Sequence, residues 1–286
     1  MAVIAIMMTI SASAQFYIYC SDGNVIKVDS ISMVAPKGTE QPDPSAGIGA
    51  FSVSADKQVT FSQGNLQYTQ STNTWSFAEN QWDYLGEANI AIDADVLADK
   101  VDLFGWSTGA TNFGVSTSEE SYDYSGSFVD WGTNRIGNYA PNTWRTLTYD
   151  EWYYLRYTRT NANDLVGAAQ VNGVNGLIFL PDNWTCPTGV SFKSGFHSNN
   201  GVDYYAAYQT FTAAEWSILE SAGAVFLPAA GYRYGSDVDS MQYGGYWSAT
   251  EFYSYIAYYL NFNSDEAGMY TSECGLGLSV RLVKDL

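Results

Sequence analysis

Apolar and polar positions alternate most regularly toward the end of the chain. Leu260 and Phe262 interleave with Tyr259, Asn261 and Asn263, and Leu278, Val280 and Leu282 interleave with Ser279 and Arg281. A period of two predicts strands with one buried face. On the first strand it turns Tyr258, Leu260 and Phe262 inward and Tyr259, Asn261 and Asn263 outward. On the last it sets Arg281 opposite the apolar face, and this strand is expected to pair with strands near the start of the domain. The other exposed-type positions from Gly231 onward are Tyr234, Ser236, Asp237, Asp239, Tyr243, Tyr253, Tyr255, Asp265, Tyr270, Ser272 and Cys274. Tyr supplies rigid contact area and Ser, Asn and Asp supply adaptable hydrogen bonds, as in an antibody paratope. These outward positions of residues 231–286 are the candidate ligand-binding residues.

A helical pattern occurs twice, and both times it opens the same way. Thr148 with Glu151, and Thr212 with Glu215, have the spacing of a capping box. Trp152 with Leu155, and Trp216 with Leu219, continue as apolar stripes, and Gly223 closes the second helix. A strand ending in Phe-Leu-Pro follows each: Leu177–Pro181 and Ala224–Pro228. Residues 15–34 hold two short strand-like runs around Ser21-Asp22-Gly23-Asn24, and residues 35–50 read as a Pro/Gly/Ser-rich linker. The main domain spans residues 51–286, with long packed loops between 80 and 145. The order of elements predicts an α+β fold with two helices and a mainly antiparallel, twisted sheet.

Composition adds a compartment and removes some partners. The 286 residues include 23 Tyr, 9 Trp and 14 Phe, and the formal net charge is −18. So acidic a chain repels phosphate backbones and anionic lipid surfaces, which excludes a nucleic-acid partner. The first residues, MAVIAIMMTISASAQ, pair an apolar run with Ala12-Ser13-Ala14. They read as a signal peptide over residues 1–14, cleaved before Gln15, so the protein is expected to be secreted or held at the cell surface. Cys20, Cys186 and Cys274 are too few and too scattered for a disulfide framework or a zinc site.

Several segments carry a resemblance. Phe61–Tyr68 (FSQGNLQY), Phe77–Gln81 (FAENQ), Asp102–Trp106 (DLFGW), Leu180–Trp184 (LPDNW), Gly245–Thr250 (GYWSAT) and Gly277–Val283 (GLSVRLV) together resemble a large family of exported proteins from anaerobic gut bacteria with a C-type lectin-like fold. Trp144–Trp152 is similar to the start of a helix in the formylglycine-generating-enzyme branch of that fold. The resemblance implies a C-type lectin-like domain. It also implies a link to variable proteins of diversity-generating retroelements, whose tails are rewritten at Asn codons. Tyr234, Ser236, Asp237, Asp239, Tyr253, Tyr255, Tyr259, Ser272 and Cys274 match the residue palette of those tails, whereas Met241, Met269, Glu251 and Glu273 do not. A fixed and a diversified binding surface both stay open. The partner expected is a protein or glycan on another cell, a phage or a host. A pilus-tip or adhesin subunit docked through residues 15–34 is the alternative.

Catalytic chemistry finds little footing. The formylglycine-generating relatives use two reactive cysteines near the C-terminus, and here Cys274 has no second Cys nearby. His197 is the single histidine, set in a polar loop. Asp237/Asp239 and Glu119/Glu120 are paired carboxylates of the kind glycoside hydrolysis needs, but nothing in the sequence sets their separation. Gln41-Pro42-Asp43 matches a sugar-specificity tripeptide of animal lectins yet lies in the linker. Asp182-Asn183 reads as an Asx-type turn more than as a calcium ligand set. The reading is therefore a binding protein, not an enzyme, with no cofactor and no metal; a carboxylate-based hydrolase ranks last.

Overall fold

The computed structural model describes residues 49–89, 99–107, 120, 124, 126–197, 205–235, 237–239 and 242–286, together with the backbone of 16–19 and 25–28. The leader over residues 1–14, nearly all of the linker, Cys20, Glu119 and Ser236 lie outside the described residues. The chain divides into two units, Met1–Asp43 and Pro44–Leu286. In the first, β1 (Phe16–Tyr19) and β2 (Val25–Val28) pair as an antiparallel hairpin.

The second unit is built from small sheets. β3 (Phe51–Ser52) and β4 (Gln58–Phe61) begin it. β5 (Leu66–Thr69), β6 (Thr74–Phe77) and β7 (Lys100–Val101) form a sheet in the order β6-β5-β7. Helix α1 (Tyr149–Tyr153) precedes β8 (Val166–Val171) and β9 (Val174–Phe179). Helix α2 (Tyr205–Tyr208), β10 (Thr210–Phe211), helix α3 (Ala213–Ser221) and β11 (Val225–Pro228) follow. The four strands β8 to β11 make one sheet in the order β10-β8-β9-β11, and the two Phe-Leu-Pro strands lie side by side in it, with Val225 opposite Phe179. β12 (Tyr232–Tyr234) and β13 (Asp237–Asp239) form a ribbon. β14 (Gly244–Tyr253), β15 (Ile256–Phe262) and β16 (Ala267–Glu273) form an antiparallel meander. β17 (Val283–Asp285) returns to pair antiparallel with β4.

The expectation of a two-helix α+β lectin-like fold needs correction. The described elements are mostly β, and the helices are three and short, of five, four and nine residues. Both capping boxes form, but a cap sets where a helix starts and not how far it runs. After Thr148 the run Tyr153, Tyr154, Tyr157, Thr158 is aromatic and β-branched, a weak helix former. α1 accordingly gives way to a π-turn at Tyr154–Thr158. The 80–145 region, read as loop, supplies β7 and 3₁₀ turns at Gly86–Asn89 and Trp131–Thr133.

Apolar burial explains the layout. One cluster joins Phe51, Phe61, Trp152, Phe179, Leu227, Tyr246, Leu260 and Phe262. A second joins Trp75, Phe104, Trp106, Trp131, Trp144, Trp247, Leu278 and Leu282. The third lies under α3, around Trp216. The tail meander stands between the first two: Tyr246, Leu260, Phe262 and Ala267 face one, Trp247 and Ala257 the other. Most of the tryptophans are buried core, which removes them as exposed sugar platforms.

Conserving this layout takes buried polar groups as well. Arg281 is fully buried, and its guanidinium donates to Gln81 Oε1 at 2.8 Å, Asn65 Oδ1 at 3.3 Å and the Gln63 carbonyl at 3.3 Å. Burial lowers its pKa to about 10. Asn65 in turn donates to the Tyr246 hydroxyl at 3.1 Å. The FSQGNLQY and FAENQ segments therefore serve as internal struts. Asp182 does likewise and does not form an Asx turn: its carboxylate accepts from Ser52 N at 2.8 Å, Gln58 Nε2 at 2.9 Å and Arg159 Nη1 at 3.1 Å.

Candidate functional site

The outward face of the tail meander carries a cleft of about 360 Å³. Its floor is Gly245 of β14, Leu276 and Leu278; its walls are Tyr232 of β12, Tyr243, Tyr259 and Asn261. The pleat explains the placement. Asn261 stands opposite Gly245 and Tyr259 opposite Trp247, so alternate residues of β15 look into the cleft while Leu260 and Phe262 look into the core. Gly245 lets Leu278 sit close beneath it, since a Cβ there would come within 2.6 Å of Leu278 Cδ2. β12 is pinned alongside by backbone bonds between Arg233 and Gly277, 2.9 Å and 2.7 Å in the two directions.

Among the described residues no charged side chain lines the cleft. Acid sits close by: the Tyr232 hydroxyl donates to Asp239 Oδ2 at 2.8 Å. That bond and partial burial hold the Tyr232 phenol above its ordinary pKa, and burial does the same for Tyr259. Tyr232 and Tyr259 thus stay protonated at neutral pH, and with Tyr243 they offer hydroxyls to the cleft. Asn261 adds an amide with both donor and acceptor capacity. Three hydroxyls, one amide and a leucine floor suit an uncharged ligand with both polar groups and an apolar face.

The structure gathers some of the expected residues and disperses others. Tyr243, Tyr259 and Asn261 line the cleft. Tyr270 lies beside Tyr259, rings 6.4 Å apart, and Ser272 continues the same face, opposite Ala257. Asp239 reaches Tyr232, while Tyr234 and Asp237 pair at the far end of the ribbon. Tyr253 and Tyr255 occupy the β14–β15 turn, at the end of the hairpin away from Asn261, exposed by 70% and 47%. Asn263 builds a turn, its Oδ1 accepting from Asp265 N at 2.7 Å and Glu266 N at 3.0 Å. Asp265 belongs to that turn, accepting from the Ser264 hydroxyl.

Cys274 requires a correction. It is buried in the tryptophan-rich cluster and not displayed. Burial, with Glu251 and Glu273 nearby, pushes its thiol up to about 12. Cys274 keeps the alternation of Tyr270 and Ser272, its N–H donating to the Tyr255 carbonyl at 2.9 Å as the next rung beyond Ile256 and Glu273. At this end, however, the face is covered by the second cluster, and Trp106 N donates to the Cys274 carbonyl at 2.9 Å.

A family model described as a domain of unknown function (DUF8237) matches residues 189–283. The match takes in every residue that lines the cleft. Comparison with curated proteins and with solved structures gave no match.

Sequence reasoning passed over Tyr232, although the alternation Tyr232-Arg233-Tyr234 held the signal. It also passed over an aromatic file on α1 and the following turn. Tyr149, Tyr153 and Tyr157 recur at a helical spacing, with ring centroids 5.9 Å and 5.0 Å apart. Tyr149 packs on Tyr258 at 4.2 Å, across the meander from the cleft. His197 lies on a loop and stacks on Tyr208 at 5.8 Å. Among the described residues no group of three or more His, Cys, Asp or Glu side chains is arranged to hold a metal ion.

Proposed function

We propose that this chain is a non-enzymatic binding protein, displayed outside the cell, whose ligand enters the cleft between β12 and the tail meander. The observation that carries the reading is the composition of the cleft: Tyr232, Tyr243, Tyr259 and Asn261 over a floor of Leu276 and Leu278. Its volume lies in the range of small-ligand pockets. Amphipathic tyrosines make contact at little entropic cost, and a neutral lining favours a glycan or a neutral protein loop over a charged metabolite. The twin acids Asp237 and Asp239 are both exposed, and Asp239 is occupied by Tyr232, which argues against a carboxylate-based hydrolase.

The test is a screen of the purified chain against a glycan array and a display library of protein surfaces, repeated with Tyr243→Ala and Asn261→Ala. A cleft ligand should bind each variant more weakly by about 2 kcal/mol, roughly thirtyfold, at unchanged melting temperature. Hits that ignore both substitutions would move the binding surface elsewhere. Whether the tail is diversified is a separate question. A neighbouring reverse transcriptase gene with a near-copy of the tail-coding segment, differing at adenines, would answer it.

A further inference from the structure

The meander ends in an open edge. β16 pairs with β15 on one side, and among the described residues it has no strand neighbour on the other. Antiparallel pairing makes backbone groups point alternately toward and away from the partner strand. The Ala267 carbonyl fixes the parity: it faces away from β15 and is taken by Arg156 Nε at 3.1 Å and the Tyr157 hydroxyl at 3.0 Å. By the same alternation the N–H and C=O of Met269 and Thr271 also face outward. Neither has a hydrogen-bond partner on that side among the described residues.

Edge strands are commonly protected by Pro, Lys, a bulge or a covering loop. The sequence of β16, Ala-Gly-Met-Tyr-Thr-Ser-Glu, has no Pro and no Lys, and its register with β15 runs without a shift from Ala267 to Glu273. Arg156 and Tyr157 cover one end and leave the rest. Tyr270 on one face and Thr271 on the other are both exposed, so an added strand would find side-chain contacts on both sides. Charge selects the occupant. Asp265 and Glu266 stand exposed at one end of β16 and Glu273 at the other. A second copy of a chain with net charge −18 would be repelled, whereas a basic segment would be drawn in.

We propose that the outer edge of β16 accepts an extended, basic peptide segment of a partner protein as a fourth strand of the meander. Main-chain bonds to Met269 and Thr271 would supply affinity. Alternate side chains, lying beside Tyr270 on one face and Thr271 on the other, would supply selectivity. The inference is independent of the cleft.

The probe is a fluorescein-labelled peptide, Lys-Thr-Val-Thr-Val-Thr-Lys with blocked ends, titrated by anisotropy against the full chain. Three results are expected. The peptide binds; methylating its amides on one alternating set abolishes binding while the other set tolerates it; and Thr271→Pro, which deletes an outward N–H on an edge strand, weakens binding at least about tenfold without lowering the melting temperature. The methylation series uses the unmodified protein, so the test survives even if Thr271→Pro misfolds. No binding up to about 1 mM, loss of binding from either methylated set alike, or equal binding of the peptide with Glu in place of Lys would each overturn the proposal. So would self-association by sedimentation that Thr271→Pro abolishes, which would make a second copy the occupant.

Discussion

Glu151→Gln should destabilise the protein by about 2–4 kcal/mol at neutral pH. The carboxylate sits where four donors converge. Oε2 accepts from Thr148 N at 2.9 Å and Arg145 Nη1 at 2.7 Å, and Oε1 from Arg145 Nη2 at 2.8 Å and Lys57 Nζ at 3.2 Å. An amide has one acceptor end, so either orientation turns its NH₂ group toward two donors. Bonds to charged groups contribute about 1.5–3 kcal/mol each. The Lys57 contact adds little because that side chain is 40% exposed, and the estimate rests on Arg145 and the helix cap. The pH dependence follows from linkage. Burial tends to raise the Glu151 pKa, but the bonds from Arg145, Thr148 and Lys57 outweigh it and leave it below the ordinary 4.5. A carboxylate with a depressed folded pKa contributes stability above its unfolded pKa and loses it as pH falls through the folded value. The gap between wild type and Glu151→Gln should therefore be full at pH 7 and narrow as pH falls through the depressed folded value. Urea unfolding followed by tryptophan fluorescence at several pH values measures it. A cost below about 1 kcal/mol at pH 7, or a gap independent of pH, would refute the reasoning.

Further outcomes are expected elsewhere in the molecule. Leu260→Ala should cost roughly 2–5 kcal/mol in the same unfolding assay while Asn261→Ala, its neighbour on the opposite face, costs under about 1 kcal/mol; similar costs would contradict the pleat. Gly244→Ala should cost about 1–3 kcal/mol, because its Cβ would fall 2.0 Å from the Phe262 ring; an unchanged urea midpoint would count against that packing. Cys186 is exposed and Cys274 buried, so peptide mapping after brief alkylation should find Cys186 modified and Cys274 untouched until denaturant is added.

Local signals in the sequence carried far, and non-local ones did not. The Thr148 and Thr212 caps were legible because a capping box is written within four residues. Leu260, Phe262, Tyr259 and Asn261 fell on their faces because a strand's period is indifferent to what packs on it. Helix length was not legible in the caps, which fix only a start; the weak helix formers after Tyr153 give way to a π-turn, and its Arg156 and Tyr157 reach the Ala267 carbonyl, some 110 residues away in sequence. Cys274 was misjudged because the alternation gives its face but not what covers it, and the covering Trp106 segment lies far away in sequence. The cleft itself required knowing that β12 packs against Gly277, which no spacing in the sequence encodes.

The pairing of β17 with β4 bears on the order in which the protein is made. Val283 lies opposite Phe61 and exchanges backbone bonds with Arg145 at 2.9 Å and 2.8 Å. A ribosome takes on the order of ten seconds or more to travel from Phe61 to Val283. Through that interval β4, the Arg145 segment and the apolar patch around Phe51 and Leu147 await a partner not yet synthesised. Closing so long a loop is entropically slow. The nascent chain thus has an extended period in which its own start is open to a holding chaperone, and completion of the fold is timed by the arrival of its last strand.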